Sequence, residues 1–337
     1  MPKVVVVDAK SDEAIARAAL RLRDGLLVAF PTETVYGLGA NALDEAAVAR
    51  IYAAKGRPAH NPVIVHVADA ESAQRVVASW PPFAQQLAAR FWPGPLTLVL
   101  PKSTDVPHSV TAGLGKVGVR VPAHPVALAL LRQAGVPVAA PSANRSNAVS
   151  PTTAQHVATS LAGNDVLVLD GGACEVGIES SVVDVSGEVP VLLRPGGISR
   201  EELEATLGMR VATADESQRD DTPRASPGML HKHYEPRAKL VVVAHGDATA
   251  AVEALAAAAK RGDVPVGAMA ISDNVRAAVA GAARVVDMDN EPRGYARWLY
   301  AALHAMDDAQ IATIVVEDVP KDAAWDGVRD RLSRASH

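Results

Sequence analysis

Beyond residue 239, short apolar runs alternate with helical periods, and few folds accept that pattern. The runs fall at 240–244, 264–271, 284–288 and 311–316, with helical spacing between them at 248–261, 274–282 and 295–305. Two parallel strands need a crossover of roughly a dozen residues or more, and a helix supplies it. Residues 239–337 are therefore expected to form a small doubly wound parallel sheet.

The preceding part reads differently. Helical spacing covers 11–24 (Ala14, Ile15, Ala18, Leu22) and 44–54, the latter opened by Asp44 as an N-cap. Strand candidates lie at 26–30, 63–67, 96–100, 117–121, 136–139, 166–170, 181–185 and 189–194. Residues 1–211 are read as an α/β or α+β domain of many strands, with the strand order open. Between the two parts, 212–238 is polar and rich in Asp, Arg, Pro and Ser, as a linker would be. A chain of 337 residues exceeds what one hydrophobic core usually serves, so two domains are expected.

Composition removes several classes of function. Cys174 is the single cysteine, which rules out an internal disulfide and a cysteine-rich zinc site. No uninterrupted apolar 18-mer and no signal-like N-terminus occur, so a cytoplasmic chain without membrane insertion is expected. The net charge is −5; residues 1–210 carry 18 Lys+Arg against 19 Asp+Glu, and 211–337 carry 15 against 19. A near-neutral first part can hold a basic pocket but is a poor general nucleic-acid binder.

Chemistry concentrates in a few places. Pro31-Thr32-Glu33-Thr34-Val35-Tyr36-Gly37 places hydroxyls and a carboxylate directly after an apolar strand, where α/β ligands commonly bind. Lys55-Gly56-Arg57 follows a helix and precedes Asn61 and His66; the two cations offer a point charge and a planar fork to one polyanion, although such residues also complement a helix dipole. Both are expected to sit in a loop without packing duties. Lys116 and Arg120 share one face of a strand, and a buried cation there needs an anionic partner. Ala140, Ser142 and Asn144, with Ser150 beyond, end another strand in small and hydrogen-bonding groups; an ordinary Pro-Ser-Asn turn has the same composition. Ser180-Ser181 opens a strand and Arg194-Pro195-Gly196-Gly197 closes one. There is no Walker-type phosphate loop, GxGxxG, GxSxG or HExxH, so the common nucleotide folds, serine hydrolysis and zinc hydrolysis drop away.

In their order and spacing, the PTETVYGLG run, the Lys55-x-Arg57 pair, the GVRVP strand, the Ser142-x-Asn144 pair and the RPG turn resemble the YrdC-like domain of threonylcarbamoyl-AMP synthases. The two-domain form of that family adds a linker with His-Tyr-x-Pro, here His233-Tyr234-Glu235-Pro236, and a small Rossmann-like domain. The resemblance implies an α/β twisted sheet with a concave basic face that binds ATP, Mg2+ through its phosphates and no direct metal ligands, and L-threonine beside it. It implies Thr34, His66, Arg120, Ala140 and Ser180 around threonine, with Arg120 on the carboxylate. It implies Arg57, Asn61, Lys116, Ser142, Asn144, Ser150, Arg194 and Tyr234 around ATP, with Lys55 and Arg57 carrying the catalysis. Lys116 stands where the family commonly has Thr, so a phosphate contact and an outward position are both open. The implied partners are ATP, L-threonine, bicarbonate and a downstream tRNA threonylcarbamoyl transferase.

Two rivals remain at this point. A carbamoyl-adenylate enzyme of the hydrogenase-maturation kind would bring zinc-finger cysteines, which one cysteine cannot supply. An RNA-binding module using the concave face would bring excess basic charge, against the count above.

Overall fold

The computed structural model describes residues 3–58, 60–214 and 234–336. The chain divides into two compact units, one of residues 1–146 and 150–230 and the other of residues 147–149 and 231–337.

Among the described residues, the first unit is built on eleven strands: β1 (Val5–Asp8), β2 (Leu27–Phe30), β3 (Gly37–Asn41), β4 (Val65–His66), β5 (Leu96–Pro101), β6 (Lys116–Arg120), β7 (Val138–Ala139), β8 (Val166–Asp170), β9 (Ser181–Asp184), β10 (Val191–Arg194) and β11 (Ala212–Thr213). They form one mixed sheet in the order β1-β8-β2-β3-β7-β4-β6-β5-β9-β10-β11. Its centre is apolar on both faces. Leu38, Val65, Leu98 and Val119 lie in one buried cluster and Val28, Phe30, Val138 and Leu167 in another. This is the double coverage that near-continuous apolar strands demand. Helix Asp12–Arg23 starts at Ser11, whose side chain accepts from Ala14 N, and buries Ile15, Ala18, Ala19 and Leu22.

Several elements depart from the expectations. β3 is absent from the expected strands, and Gly-Leu-Gly-Ala-Asn has little strand propensity. A Cβ on Gly39 would stand 2.8 Å from both Phe30 Cε1 and Val138 Cγ1, so the absence of a side chain is what admits the strand. β4 and β7 keep two residues each of longer apolar runs. Helix Pro125–Ala134 opens at His124, whose Nδ1 accepts from Val126 N, a cap the sequence pattern does not advertise. Ala212–Thr213, at the start of the expected linker, pair parallel with β10 at the sheet edge. Of that linker, residues 215–233 lie outside the described residues.

The second unit matches the opening expectation. Strands β12 (Lys239–Val243), β13 (Val266–Ala270), β14 (Arg284–Asp287) and β15 (Thr313–Glu317) pair all-parallel in the order β12-β15-β13-β14. Helices Ala248–Arg261, Asp273–Ala278 and Pro292–Asp308 are the crossovers. Glu317, fully buried at the end of β15, accepts from Gly246 N, Ile271 N, Ser272 N and Ser272 Oγ at 2.6–2.9 Å. Burial alone would raise its pKa, but these donors outweigh that and hold it below the usual value. Among the described residues no helix is long and apolar enough to cross a membrane.

Candidate functional site

In the first unit the buried polar residues gather where the sequence placed its motifs. Thr32, Glu33, Thr34, Lys55, Arg57, Asn61, His66, Arg120, Asn144, Ser150, Ser180 and Arg194 are all buried, in contrast to what such residue types usually do. Lys55, Arg57, Arg120 and Arg194 stand against Glu33 and Glu179 among the buried charges, a surplus of basic groups that suits an anionic ligand.

Local folding explains how each group arrives. Helix Glu45–Lys55 begins at Asp44, whose side chain accepts from Ala46 N and Ala47 N, and ends at Gly56, which takes the left-handed conformation (φ 62°). That glycine cap turns the chain so that Lys55, in the last helical turn, and Arg57, just past it, both enter the interior. Lys55 Nζ donates to the Ser142 carbonyl (2.6 Å) and to the Asn144 carbonyl. Burial, helped by neighbouring Arg57 and opposed by Glu179, holds its pKa well below that of an ordinary lysine. Arg57 donates from Nε to Asn61 O (3.2 Å) and from Nη2 to Pro62 O (2.9 Å). Lys55 and Arg57 are therefore packed structural members as well, a correction to the loop position expected for them.

Arg120 ends β6 beside His66, its register partner on parallel β4, so both project from one face. Its guanidinium donates from Nε to Gly94 O (3.2 Å), from Nη1 to Thr34 Oγ1 (2.9 Å) and from Nη2 to Glu33 Oε1 (2.7 Å). Among the described residues, one N–H on each terminal nitrogen is left without a partner. Among the described residues, buried His66 Nδ1 has no hydrogen-bond partner. Desolvation, then the Arg120 cation, push this imidazole down to about 3, so the ring is neutral near pH 7. Ala140 N donates to Ile64 O (2.8 Å), which ties the small-residue turn to the residue just before β4.

A third group links the rest. Ser150 Oγ donates to Glu179 Oε1 (2.6 Å), Arg194 Nη2 reaches Ser180 O (2.9 Å) and Oγ (3.3 Å), and Ser180 Oγ lies 2.8 Å from Thr97 Oγ1. The structure thus joins amino, guanidinium, hydroxyl and amide donors with a guanidinium and imidazole that retain bonding capacity. Such a site can hold an anionic nucleotide and a carboxylate side by side.

Comparison with known proteins gives this geometry a family. Residues 21–196 match the Sua5/YciO/YrdC family model, described as telomere recombination, and residues 198–337 match that of the threonylcarbamoyl-AMP synthase C-terminal domain. The threonylcarbamoyl-AMP synthase of Pyrococcus abyssi is 45% identical over 322 residues, covering 95% of this chain and 93% of that one. That of Bacillus subtilis is 41% identical over 327 residues, covering 97% and 94%. The chain belongs to the threonylcarbamoyl-AMP synthase family. The crystal structure of P. abyssi Sua5 complexed with L-threonine superposes with a TM-score of 0.88 at 43% identity, over 100% of this chain and 97% of that one.

Of the residues expected for a threonylcarbamoyl-AMP synthase, the structure pairs Lys55 with Ser142 and Asn144, Arg57 with Asn61, Arg120 with Thr34 and its register partner His66, and Arg194 with Ser180, while Ser150 meets Glu179 and Ala140 meets Ile64. Lys116 stands apart: it is exposed at the far end of β6 and pairs with Asp184 Oδ2 at 2.7 Å, which favours the outward of its two open positions. Tyr234 belongs to the second unit, where its ring lies 5.6 Å from that of Tyr300 and 5.5 Å from the Arg331 guanidinium carbon. His233 of the same motif lies outside the described residues. Sequence reasoning missed Glu179, which holds Ser150, Thr97, which holds Ser180, and Tyr52, whose hydroxyl is 3.1 Å from Asn61 O and 2.9 Å from Ser109 O. A lone hydroxyl in the apolar run Leu96–Leu100 was the available signal for Thr97.

Gly196 lets the Arg194 turn approach Ser180. A Cβ there would collide with Glu179 O and lie 2.5 Å from Ser180 C and Ser181 N. Backbone cannot yield at that distance, so Gly196→Ala is expected to lower the melting temperature and to raise the KM for substrates by about tenfold or more. Thermal melts with steady-state kinetics check this; a variant with wild-type values would show that the close approach is unimportant.

Proposed function

We propose that the chain is an L-threonylcarbamoyladenylate synthase, a nucleotidyltransferase that converts L-threonine, bicarbonate or CO2, and ATP into threonylcarbamoyl-AMP and pyrophosphate. The observation that carries this reading is the Arg120 guanidinium, fixed by Gly94 and by the adjacent Glu33 and Thr34, beside His66: among the described residues, two of its N–H groups and the imidazole Nδ1 have no partner. A carboxylate accepts from paired guanidinium N–H groups, and a neutral imidazole nitrogen suits the hydroxyl or amine of an amino acid. Thr34, Ala140 and Ser180 complete the threonine side.

Arg57, Asn61, Ser142, Asn144, Ser150 and Arg194 take ATP, with Tyr234 assigned to the nucleotide by the family resemblance. The threonine amine captures CO2 as a carbamate, a carbamate oxygen attacks the α-phosphorus, and pyrophosphate leaves. Lys55, held on two carbonyls, and Arg57 are assigned to the phosphates, so most of the rate comes from positioning and charge stabilisation. The gathered donors are amino, guanidinium, amide and hydroxyl groups, which fit phosphate oxygens; Mg2+ would come on the phosphates and supply further charge neutralisation there. The product would serve threonylcarbamoyladenosine formation in ANN-decoding tRNAs through a downstream transferase, in the cytoplasm.

Pyrophosphate release tests this directly. It should require threonine and bicarbonate together, and serine, one methyl smaller, should support it with a catalytic efficiency lower by about 10- to 200-fold. Release that ignores threonine and bicarbonate would remove the proposal; equal efficiency with serine would remove the methyl pocket.

A further inference from the structure

Glu33 is the one carboxylate of the Pro31–Gly37 run, and it stands at the middle of the amino-acid side of the site. A carboxylate beside a carboxylate-binding arginine opposes the ligand's charge, so its presence needs a reason. Its bonds supply one. Oε1 accepts from Arg120 Nη2 (2.7 Å), Oε2 accepts from Ala123 N (3.0 Å) in the segment after β6, and its carbonyl accepts from Val176 N (2.7 Å). Glu33 and Arg120 side chains are 8% and 4% exposed, so the pair is shielded from water and its geometry is not averaged by solvent. With Nε on Gly94 O and Nη1 on Thr34 Oγ1, the guanidinium plane is fixed on its Nε edge and at both ends.

We propose that Glu33 is a positioning residue for amino-acid recognition: it fixes the Arg120 guanidinium so that the remaining N–H on each terminal nitrogen faces the ligand carboxylate. The proposal rests on the reading of Arg120 as the carboxylate-binding group. Glu33 neutralises the buried cation while the site is empty and sets its rotation when the ligand enters. The sequence fits this division of labour, since Thr34, next in the chain, takes Nη1 while Glu33 takes Nη2.

Glu33→Gln is the discriminating change, because it keeps size and shape but supplies one acceptor where two are used. Either Arg120 Nη2 or Ala123 N must then face an amide NH2 group. The expected result is a rise in threonine KM of about 10- to 100-fold, with kcat and ATP KM changed less than about threefold. In an Arg120→Lys background the same substitution should add less than about threefold, since the plane it orients is gone. Calorimetric titration of threonine into the full chain gives the binding constant without turnover. Equal losses toward ATP and threonine together with a lowered melting temperature would make Glu33 a general structural member and overturn the proposal. So would additive effects in the two backgrounds. Wild-type protein that binds no threonine overturns the underlying reading; wild-type binding alongside equally tight binding by Glu33→Gln overturns the positioning role alone.

Discussion

Lys55→Met is expected to leave a folded chain that forms product at about 1% of the wild-type rate or less and melts several degrees lower. Methionine fills the space of the lysine stem but cannot donate, so the Ser142 and Asn144 carbonyls lose their shared partner. Each unmet buried acceptor costs about 1–3 kcal/mol. With partial relief from water the total comes to about 2–4 kcal/mol, or about 4–15 °C for a domain of this size. Activity falls for two reasons, the missing cation near phosphate and the slackened Ser142-x-Asn144 turn, where a displacement of about 1 Å can cost about 100-fold. Thermal melts alongside pyrophosphate release measure both. A variant with the wild-type melting temperature would return Lys55 to the unpacked loop position that its sequence context suggests.

Arg120→Ala should be the most damaging single change on the threonine side. It removes the carboxylate partner and strands Glu33, 8% exposed, without a countercharge. Breaking a buried pair from one side costs about 3–5 kcal/mol, whereas replacing both members by apolar groups is often close to neutral. Arg120→Ala combined with Glu33→Leu should therefore recover most of the lost stability while threonine KM stays raised by more than about 100-fold. Denaturant unfolding and threonine titration separate the two effects. Recovery of threonine binding in the double variant would show that Arg120 serves stability and not recognition.

The second unit was legible because its signal is local. Strand and helix periods alternate there, and the helix expected at 248–261 is found at Ala248–Arg261. The first unit resisted because its order is set by distant pairings. β2 and β3 pair antiparallel across a buried turn, and β4 and β7 are short bridges whose register depends on β6 and β3. No local period encodes such neighbours.

For the site, residue types at fixed spacing exposed most of the polar network, but spacing fixes a face and not a depth. Lys116 and Arg120 share a face, as a period of two requires, yet about 13 Å of strand separates them. One end of β6 is exposed and meets Asp184; the other is buried and meets Glu33. Tyr234 shows the same limit. Its place in the His-Tyr-x-Pro motif suggests the nucleotide, while the packing partners visible in its own unit are Tyr300 and Arg331, a placement that motif spacing alone does not reveal.

The activity of the chain is synthesis of threonylcarbamoyl-AMP. The full chain incubated with ATP, L-threonine and carbon-13 bicarbonate should yield, by mass spectrometry, a threonylcarbamoyl-adenylate carrying one heavy carbon, and none when threonine is omitted. ATP turnover without a labelled adenylate, or an adenylate carrying no label, would contradict it.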